Sequence, residues 1–115
     1  MKILNGIRAT GTQKLRTTAS NGDIIEITLY YLPAVQIWKA DIVSGDFTLN
    51  GLRVYSFLNI LDQYQKNISF GIGIILSDQG EPFLINDFSS GRVQMAILTP
   101  AEVEEINDYY QELAE

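Results

Sequence analysis

The sequence predicts an all-β fold, either a small antiparallel β-barrel or a sandwich, with one C-terminal α-helix. Between residues 24 and 98, short segments alternate apolar and polar residues, which is typical of half-buried strands. Turn-forming residues separate these segments. After residue 98, apolar residues recur every three or four positions, as on one face of a helix. The length of 115 residues predicts a single domain over 1–115, with an arm and first strand in 1–22, a β core in 24–98 and a helix in 99–114.

The first segments predict a short strand near residues 2–7 and a second strand over residues 12–18. The turn at residues 20–23 contains Asn21-Gly22, a pair that readily adopts the positive φ angles of a tight hairpin. We therefore expect residues 12–18 to pair with a half-buried strand over residues 24–32.

The next two strands are predicted over residues 35–43 and 47–55. Trp38 alternates with charged residues in the first of them, so we expect its side chain in the core. Asn50-Gly51 interrupts the second strand and indicates a bulge or a tight bend. Residues 56–65 fit either a helical turn or an irregular loop packed on the core.

The strongest strand pattern covers residues 68–76, and a last strand is predicted over residues 91–98 after a loop. Gly71 and Gly73 lie on the same face of their strand. Because glycines leave that face without side chains, we expect another backbone or an aromatic ring to pack closely against it.

The helix is predicted from its start signal and its apolar stripe. Thr99 and Glu102 form a capping box with Pro100 at the first helical position. A stripe this narrow does not hold an isolated short helix in water, so the helix must dock on this chain or on a neighbouring one. The stripe consists of Val103, Ile106, Tyr110 and Leu113.

Charge is distributed unevenly along a chain whose net charge is −6. Residues 1–22 carry bases without acids, and residues 100–115 carry acids without bases, which fits either chance with helix-end preferences or complementary surfaces in an assembly. On the second interpretation, the candidate interface residues are Lys2, Arg8, Val103, Glu104, Glu105, Ile106, Asp108, Tyr110 and Leu113. The acidic balance argues against nucleic acid as a partner, and no apolar run is long enough to predict a membrane span.

The residues that most often carry chemistry are missing from the sequence, which has neither histidine nor cysteine. We therefore expect no enzymatic activity and no catalytic, cofactor-binding or metal-binding residue. Two weaker alternatives remain open: a calcium site formed by Asp78, Glu81 and Asp87, and an aromatic stacking platform. For the acids we favour a structural role in turns, and for the aromatic residues a place in the core and at an interface. Those aromatic residues are Tyr30, Tyr31, Trp38, Phe47, Tyr55 and Phe57.

Several segments, taken together in order, resemble a known family. They are residues 27–31, 38–42, 49–54 and 70–75, then Gly80-Glu81-Pro82, Asp87 and residues 91–98. Their order and spacing resemble the cyanophage-type baseplate plug domain of contractile-tailed phages over about residues 13–98. The chain departs from that pattern in the apolar residues after Pro82 and in the helix after Leu98.

The resemblance implies a non-enzymatic structural part of the virion, located in the tail baseplate and assembled in the host cytoplasm. Such plugs lie near the tail axis and join tail tube, hub and spike, so the resemblance implies those partners and a homo-oligomeric ring, a trimer or a hexamer. The alternative is a small β-barrel binding module for an oligosaccharide or an oligonucleotide. A binding module needs an exposed aromatic-lined groove, whereas a plug needs contacts with other chains.

Overall fold

The computed structural model describes residues 1–55, 57–64, 68–77, 82 and 84–114. It contains two antiparallel sheets and one helix. The sheets do not close into a barrel, so the all-β prediction is confirmed in its sandwich form. The elements are β1 (Lys2–Ile3), β2 (Thr12–Thr18), β3 (Ile24–Leu32), β4 (Ile37–Ser44), β5 (Phe47–Val54), β6 (Gly71–Leu76), β7 (Val93–Leu98) and α1 (Pro100–Ala114), with a 3-10 turn at Asp62–Tyr64.

The four-stranded sheet has the order β2-β3-β4-β5, so each strand pairs with the next one along the chain. The hairpin between β2 and β3 forms as predicted, with Gly22 at a φ of 91°. Strand β4 begins two residues later than predicted, because Gln36 adopts a φ of 53° in the preceding turn. The inner face of this sheet supplies the buried side chains Ile25, Ile27, Leu29, Trp38, Ala40, Ile42 and Val54.

The interruption at Asn50-Gly51 is a β-bulge, because Ala40 pairs with Leu52 while Ile42 pairs with Leu49. Two residues of β5 therefore lie opposite Asp41 alone. The Asp41 carboxylate accepts a hydrogen bond from the Gly51 backbone N–H at 2.8 Å. Gly51 has a φ of 74°, a conformation that favours glycine.

The three-stranded sheet has the order β1-β7-β6 and packs its inner face on the four-stranded sheet. Strand β1 is shorter than the predicted strand over residues 2–7, and β6 begins at Gly71 rather than residue 68. Both faces of β6 are covered, since all of its first four residues are buried. The inner face contributes Ile72, Ile74, Val93, Met95 and Ile97 to the common core.

Trp38 is completely buried in that core. Its indole Nε1 donates a hydrogen bond to the Leu84 carbonyl oxygen at 3.0 Å. The rings of Tyr31 and Phe88 lie with their centroids 5.2 Å and 5.3 Å from the Trp38 ring. Trp38 therefore connects the four-stranded sheet to the segment that leads into β7.

That segment, residues 84–92, is held by an ion pair between the buried Asp87 and the partly buried Arg92. The Arg92 Nη2 atom lies 2.8 Å from Asp87 Oδ2, and Arg92 Nε donates to Asp87 Oδ1 at 3.0 Å. Asp87 Oδ2 also accepts the Leu84 backbone N–H at 2.8 Å, which fixes the carbonyl group that Trp38 contacts. Gly80 and Glu81 of the Gly-Glu-Pro motif lie outside the described residues.

The outer edge of β6 is closed by residues 57–60, which run beside it without forming a regular strand. Ile60 N–H donates to the Ile72 carbonyl oxygen at 2.8 Å, and Ile74 N–H donates to the Phe57 carbonyl oxygen at 3.1 Å. The buried side chain of Asn59 accepts the remaining Ile72 N–H at 3.2 Å. Of the two interpretations of residues 56–65, the irregular loop fits the described part, apart from its single 3-10 turn.

The glycines of β6 face this loop and the helix. A Cβ atom at Gly73 would lie 3.0 Å from the Leu58 carbonyl oxygen, so a backbone packs there as predicted. A Cβ atom at Gly71 would lie 2.8 Å from Asn59 Oδ1 and 2.9 Å from Val103 Cγ2. At Gly71 the prediction of a backbone or an aromatic neighbour is therefore wrong, because side chains fill the space.

Helix α1 begins with the predicted capping box and docks on its own chain. Thr99 N–H donates to Glu102 Oε1 at 3.0 Å, and Glu102 N–H donates to Thr99 Oγ1 at 3.2 Å. Val103 is buried against β6, and the Tyr110 ring stacks on Phe57 at 5.5 Å with an angle of 9° between the planes. Leu113 is 65% exposed, so the stripe packs along its first part only.

Replacing Trp38 tests the connection between sheet and segment. We expect Trp38→Ala to lower the free energy of unfolding by about 3–5 kcal/mol, because a large core side chain is lost. Trp38→Phe keeps most of the volume and removes the bond to Leu84, so about 1–2 kcal/mol is expected. Denaturant unfolding followed by circular dichroism measures both, since the variants lack the only tryptophan. An alanine variant as stable as the wild type would contradict the assignment.

Replacing Gly71 tests the close packing between β6, the loop and the helix. We expect Gly71→Ala to destabilise the fold by about 1–3 kcal/mol, because the added methyl group overlaps Asn59 and Val103. Gly11→Ala is the matched control, since no atom lies within 4 Å of a Cβ there and Gly11 has no positive φ. Thermal unfolding of the two variants side by side measures the difference, and equal stability would argue against the packing.

Candidate functional site

The outer face of the four-stranded sheet carries a group of cations that we call the basic face: Lys14, Arg16, Lys39 and Arg53. Strand register places them together, because Lys39 pairs directly with both Tyr30 and Arg53. Lys14 pairs with Thr28 and Arg16 with Glu26 on the same face. Neighbouring strands are about 4.8 Å apart, so Lys39 and Arg53 lie side by side.

Most of these cations have no acidic partner in the described part of the chain. Lys14 Nζ lies 3.4 Å from Glu26 Oε2, an exposed pair that contributes little to stability. No ion pair with a described residue involves Arg16, Lys39 or Arg53. The basic face therefore carries four cations against the carboxylates of Glu26 and Asp41, and an excess of positive charge remains on it.

Tyr30 and Asp41 lie in the middle of this face and bond to each other. The Tyr30 hydroxyl donates to Asp41 Oδ1 at 3.3 Å, and the same carboxylate oxygen caps the bulge at Gly51. Partial burial, the negative charge of Asp41 and this hydrogen bond all raise the pKa of Tyr30. Asp41 is therefore occupied with the backbone and the tyrosine.

The exposed side of α1 carries a second charged surface, the acidic face: Glu104, Glu105, Asp108 and Glu112. Successive helical residues are rotated by about 100°, so these four carboxylates occupy roughly 100° of arc opposite the buried Val103. Helix α1 contains no lysine or arginine. Like charges at i and i+4, such as Glu104 and Asp108, destabilise a helix by roughly 0.2–0.5 kcal/mol per pair.

Glu102 differs from the acids of the acidic face because it belongs to the helix cap. The hydrogen bond from the Thr99 N–H lowers the pKa of Glu102 and outweighs the opposite effect of burial. The Met1 ammonium group, 2.9 Å from Glu102 Oε1, lowers it further. The sequence did not reveal this contact between the first residue and the start of the helix.

The remaining predicted interface residues make contacts within their own chain. Lys2 Nζ donates to Thr18 Oγ1 at 3.4 Å across the gap between the two sheets. The backbone of Arg8 exchanges two hydrogen bonds with the side chain of Gln13, at 2.8 Å and 2.7 Å. Ile106 and Tyr110 are half-buried on the side of the helix that faces its own chain. Lys2 and Arg8 thus lie outside the basic face, while Lys14 and Arg16 belong to it.

The described residues form no group of three or more acidic side chains close enough to hold a metal ion. Of the three acids considered for calcium, Asp87 is bound to Arg92, and Asp78 and Glu81 lie outside the described residues. Several of the aromatic residues considered for a platform are used in packing: Trp38 is buried, the Phe57 ring stacks on Tyr110 of the helix, and the Tyr55 ring is tilted by 33° against Phe57. Among the described helices, none is long and apolar enough to cross a bilayer.

The main feature that the sequence did not predict is the basic face itself, including the contribution of Lys39 and Arg53. Charge counted along the chain draws attention to residues 1–22, whereas the sheet collects cations from three different strands. A signal was present in the sequence, since Lys39 alternates with the buried Trp38 and Ala40. The register across the bulge was needed to place Arg53 beside it.

Comparison with known proteins gives no match to any protein-family model, and no curated protein matches the chain. The resemblance to the baseplate plug domain therefore depends on the sequence motifs alone.

The acid sensitivity of the helix cap is testable. Because the folded pKa of Glu102 is lowered, its contribution is complete above its unfolded pKa of about 4.3 and is lost as the pH falls through the folded value. We expect Glu102→Gln to be less stable than the wild type at pH 7, with the difference shrinking as the pH falls below about 4. Unfolding free energies measured at several pH values check this, and a constant difference would contradict it. Glu105→Gln, on the same helix but outside the capping box, is the matched control.

Proposed function

We propose that this protein is a non-enzymatic structural component of a phage tail baseplate, a plug-like part near the tail axis that joins tube, hub and spike. The observation that carries the proposal is the arrangement of charge on the fold. A basic face lies on the outer side of one sheet, and an acidic helix covers the outer side of the other. Two outer surfaces of opposite sign suit a part that contacts other chains on both of its sides.

The construction of the sandwich agrees with this proposal. Both faces of β6 are packed, and the loop at residues 57–60 closes the edge of that strand. The Asp87–Arg92 pair holds the segment next to Trp38 in place. A part that transmits force between tube and spike requires this kind of rigid packing.

The motif resemblance supplies the specific assignment to a baseplate. Its motifs fall on structural positions: the tryptophan strand is β4, the Asn-Gly-Leu turn is the bulge in β5, and the last strand is β7. The proposed location is the virion, with assembly in the host cytoplasm.

One observation favours a second candidate function, a binding module for an oligonucleotide or an anionic oligosaccharide. The basic face surrounds a half-buried tyrosine on an open sheet, and sheets of this kind can bind phosphate backbones and stack bases. The net charge of −6 and the acids Glu26 and Asp41 on the same face oppose it. Anisotropy with a labelled single strand at low salt distinguishes the two functions.

Deletion of the coding sequence in the strain that produces the particles tests the baseplate proposal. We expect particles whose tails lack complete baseplates in electron micrographs, with infectivity restored by the wild-type chain supplied in trans. In purified wild-type virions, we expect mass spectrometry to detect this chain. Normal tails after deletion, together with absence of the chain from virions, would overturn the proposal. A silent recoding of the gene serves as the matched control for effects on neighbouring genes.

A further inference from the structure

We propose that copies of this protein associate head to tail, with the acidic face of α1 from one copy docked on the basic face of the next. The inference names a partner for the two surfaces on which the proposed function rests. It commits to a second copy of this chain as the occupant of the basic face.

Most charged side chains of the two surfaces have no ion-pair partner among the described residues of their own chain, Lys14 with Glu26 being the exception. Arg16, Lys39 and Arg53 form no ion pair with a described residue. The four carboxylates of the acidic face are all exposed, and no cation lies on their helix. Exposed cations and exposed carboxylates are therefore present in similar number on one molecule.

The sequence of α1 places carboxylates where they destabilise an isolated helix. Carboxylates near the C-terminal end of a helix face the negative end of its dipole, and like charges four residues apart repel. Glu104, Asp108 and Glu112 follow each other at this spacing. No lysine or arginine of α1 offsets this repulsion between carboxylates. A charge pattern that destabilises its own helix is typical of a surface that binds a cationic partner.

The spacing of the acids along α1 matches the spacing of the cation rows on the basic face. Glu104 and Glu112 are eight residues apart, which corresponds to about 12 Å along a helix. On the basic face, the row of Thr12, Tyr30, Lys39 and Arg53 is separated from the row of Arg16 by four strand residues, or about 13 Å. A helix whose axis runs along the strand direction can therefore bring acids to both rows.

The two charged surfaces lie on opposite sides of the molecule. The helix covers the outer side of the three-stranded sheet, whereas the basic face is the outer side of the four-stranded sheet. The contact joins two different surfaces, and these lie on opposite sides of the molecule, so it is heterologous rather than isologous. Each copy therefore contacts one neighbour through its acidic face and another through its basic face. Such contacts form a ring when the rotation between copies closes, and an open filament when it does not. Tyr109 and Leu113, 50% and 65% exposed, add apolar area beside the acids.

Two triple variants test the inference in the full chain. One reverses the basic face with Arg16→Glu, Lys39→Glu and Arg53→Glu, and the other reverses the acidic face with Glu104→Lys, Glu105→Lys and Asp108→Lys. Sedimentation velocity at low ionic strength measures association, and circular dichroism checks that each variant is folded. We expect the wild type to associate and to dissociate as salt is added, because these ion pairs are exposed.

Each triple variant alone should associate about tenfold to a hundredfold more weakly than the wild type, since three exposed pairs become three like-charge contacts. An equimolar mixture of the two should associate again, because the reversed helix of one meets the reversed sheet of the other. Asp46→Lys is a control outside both faces, and we expect it to associate like the wild type.

Three results would overturn the inference: a wild-type chain that stays monomeric at low salt and high concentration, a mixture that fails to restore association, or binding of a single-stranded oligonucleotide that is lost in the basic-face variant. Because the measurement uses purified protein, its failure is distinguishable from failure of the baseplate proposal. A monomeric chain that still enters virions would contradict only the head-to-tail contact. An associating chain that is absent from virions would contradict only the baseplate assignment.

Discussion

The close approach of a loop and a helix to β6 is the constraint on which the rest of the structure depends. Gly71 and Gly73 leave space on the outer face of the strand, and the Asn59 side chain, the Leu58 carbonyl group and Val103 occupy it. Without this approach, the edge of β6 would stay open and the contact that buries Val103 of the helix would be lost. Two glycines thereby fix where the acidic helix lies relative to the basic sheet face.

The interior of the sandwich is determined by different forces on its two sides. On the side of the four-stranded sheet, alternation of apolar residues is sufficient to define the inner face. Near β7, a polar network takes over, in which Trp38, the Leu84 carbonyl group, Asp87 and Arg92 are connected by directional bonds. Removing one member of such a pair leaves an uncompensated charge, so the network determines one conformation of residues 84–92.

Local patterns in the sequence predict much of this fold. The bounds of β2 and β3, the Asn-Gly hairpin and the capping box at Thr99 all follow from interactions within a few residues. The closure of the β6 edge by residues 57–60 did not follow, because it depends on hydrogen bonds between segments distant in sequence. For the same reason the basic face was not predicted, because its cations come from three strands and Arg53 lies beside Lys39 only through strand register. The sequence also left open whether the helix docks on its own chain, because that contact depends on the position of the Phe57 ring, on which Tyr110 stacks.

The two sheets end in different ways, and this difference affects how the protein avoids aggregation. The edge of β6 is sealed by a loop, whereas β2 has a neighbour on one side only, which leaves alternate backbone N–H and C=O groups directed outward. Open strand edges are templates for uncontrolled growth of sheets between molecules. On β2, Lys14 and Arg16 flank the open edge, and two such edges repel each other when they approach. The same positive charges that attract a carboxylate-rich surface thus act as gatekeepers at the open edge of β2, one of the two end strands of the four-stranded sheet.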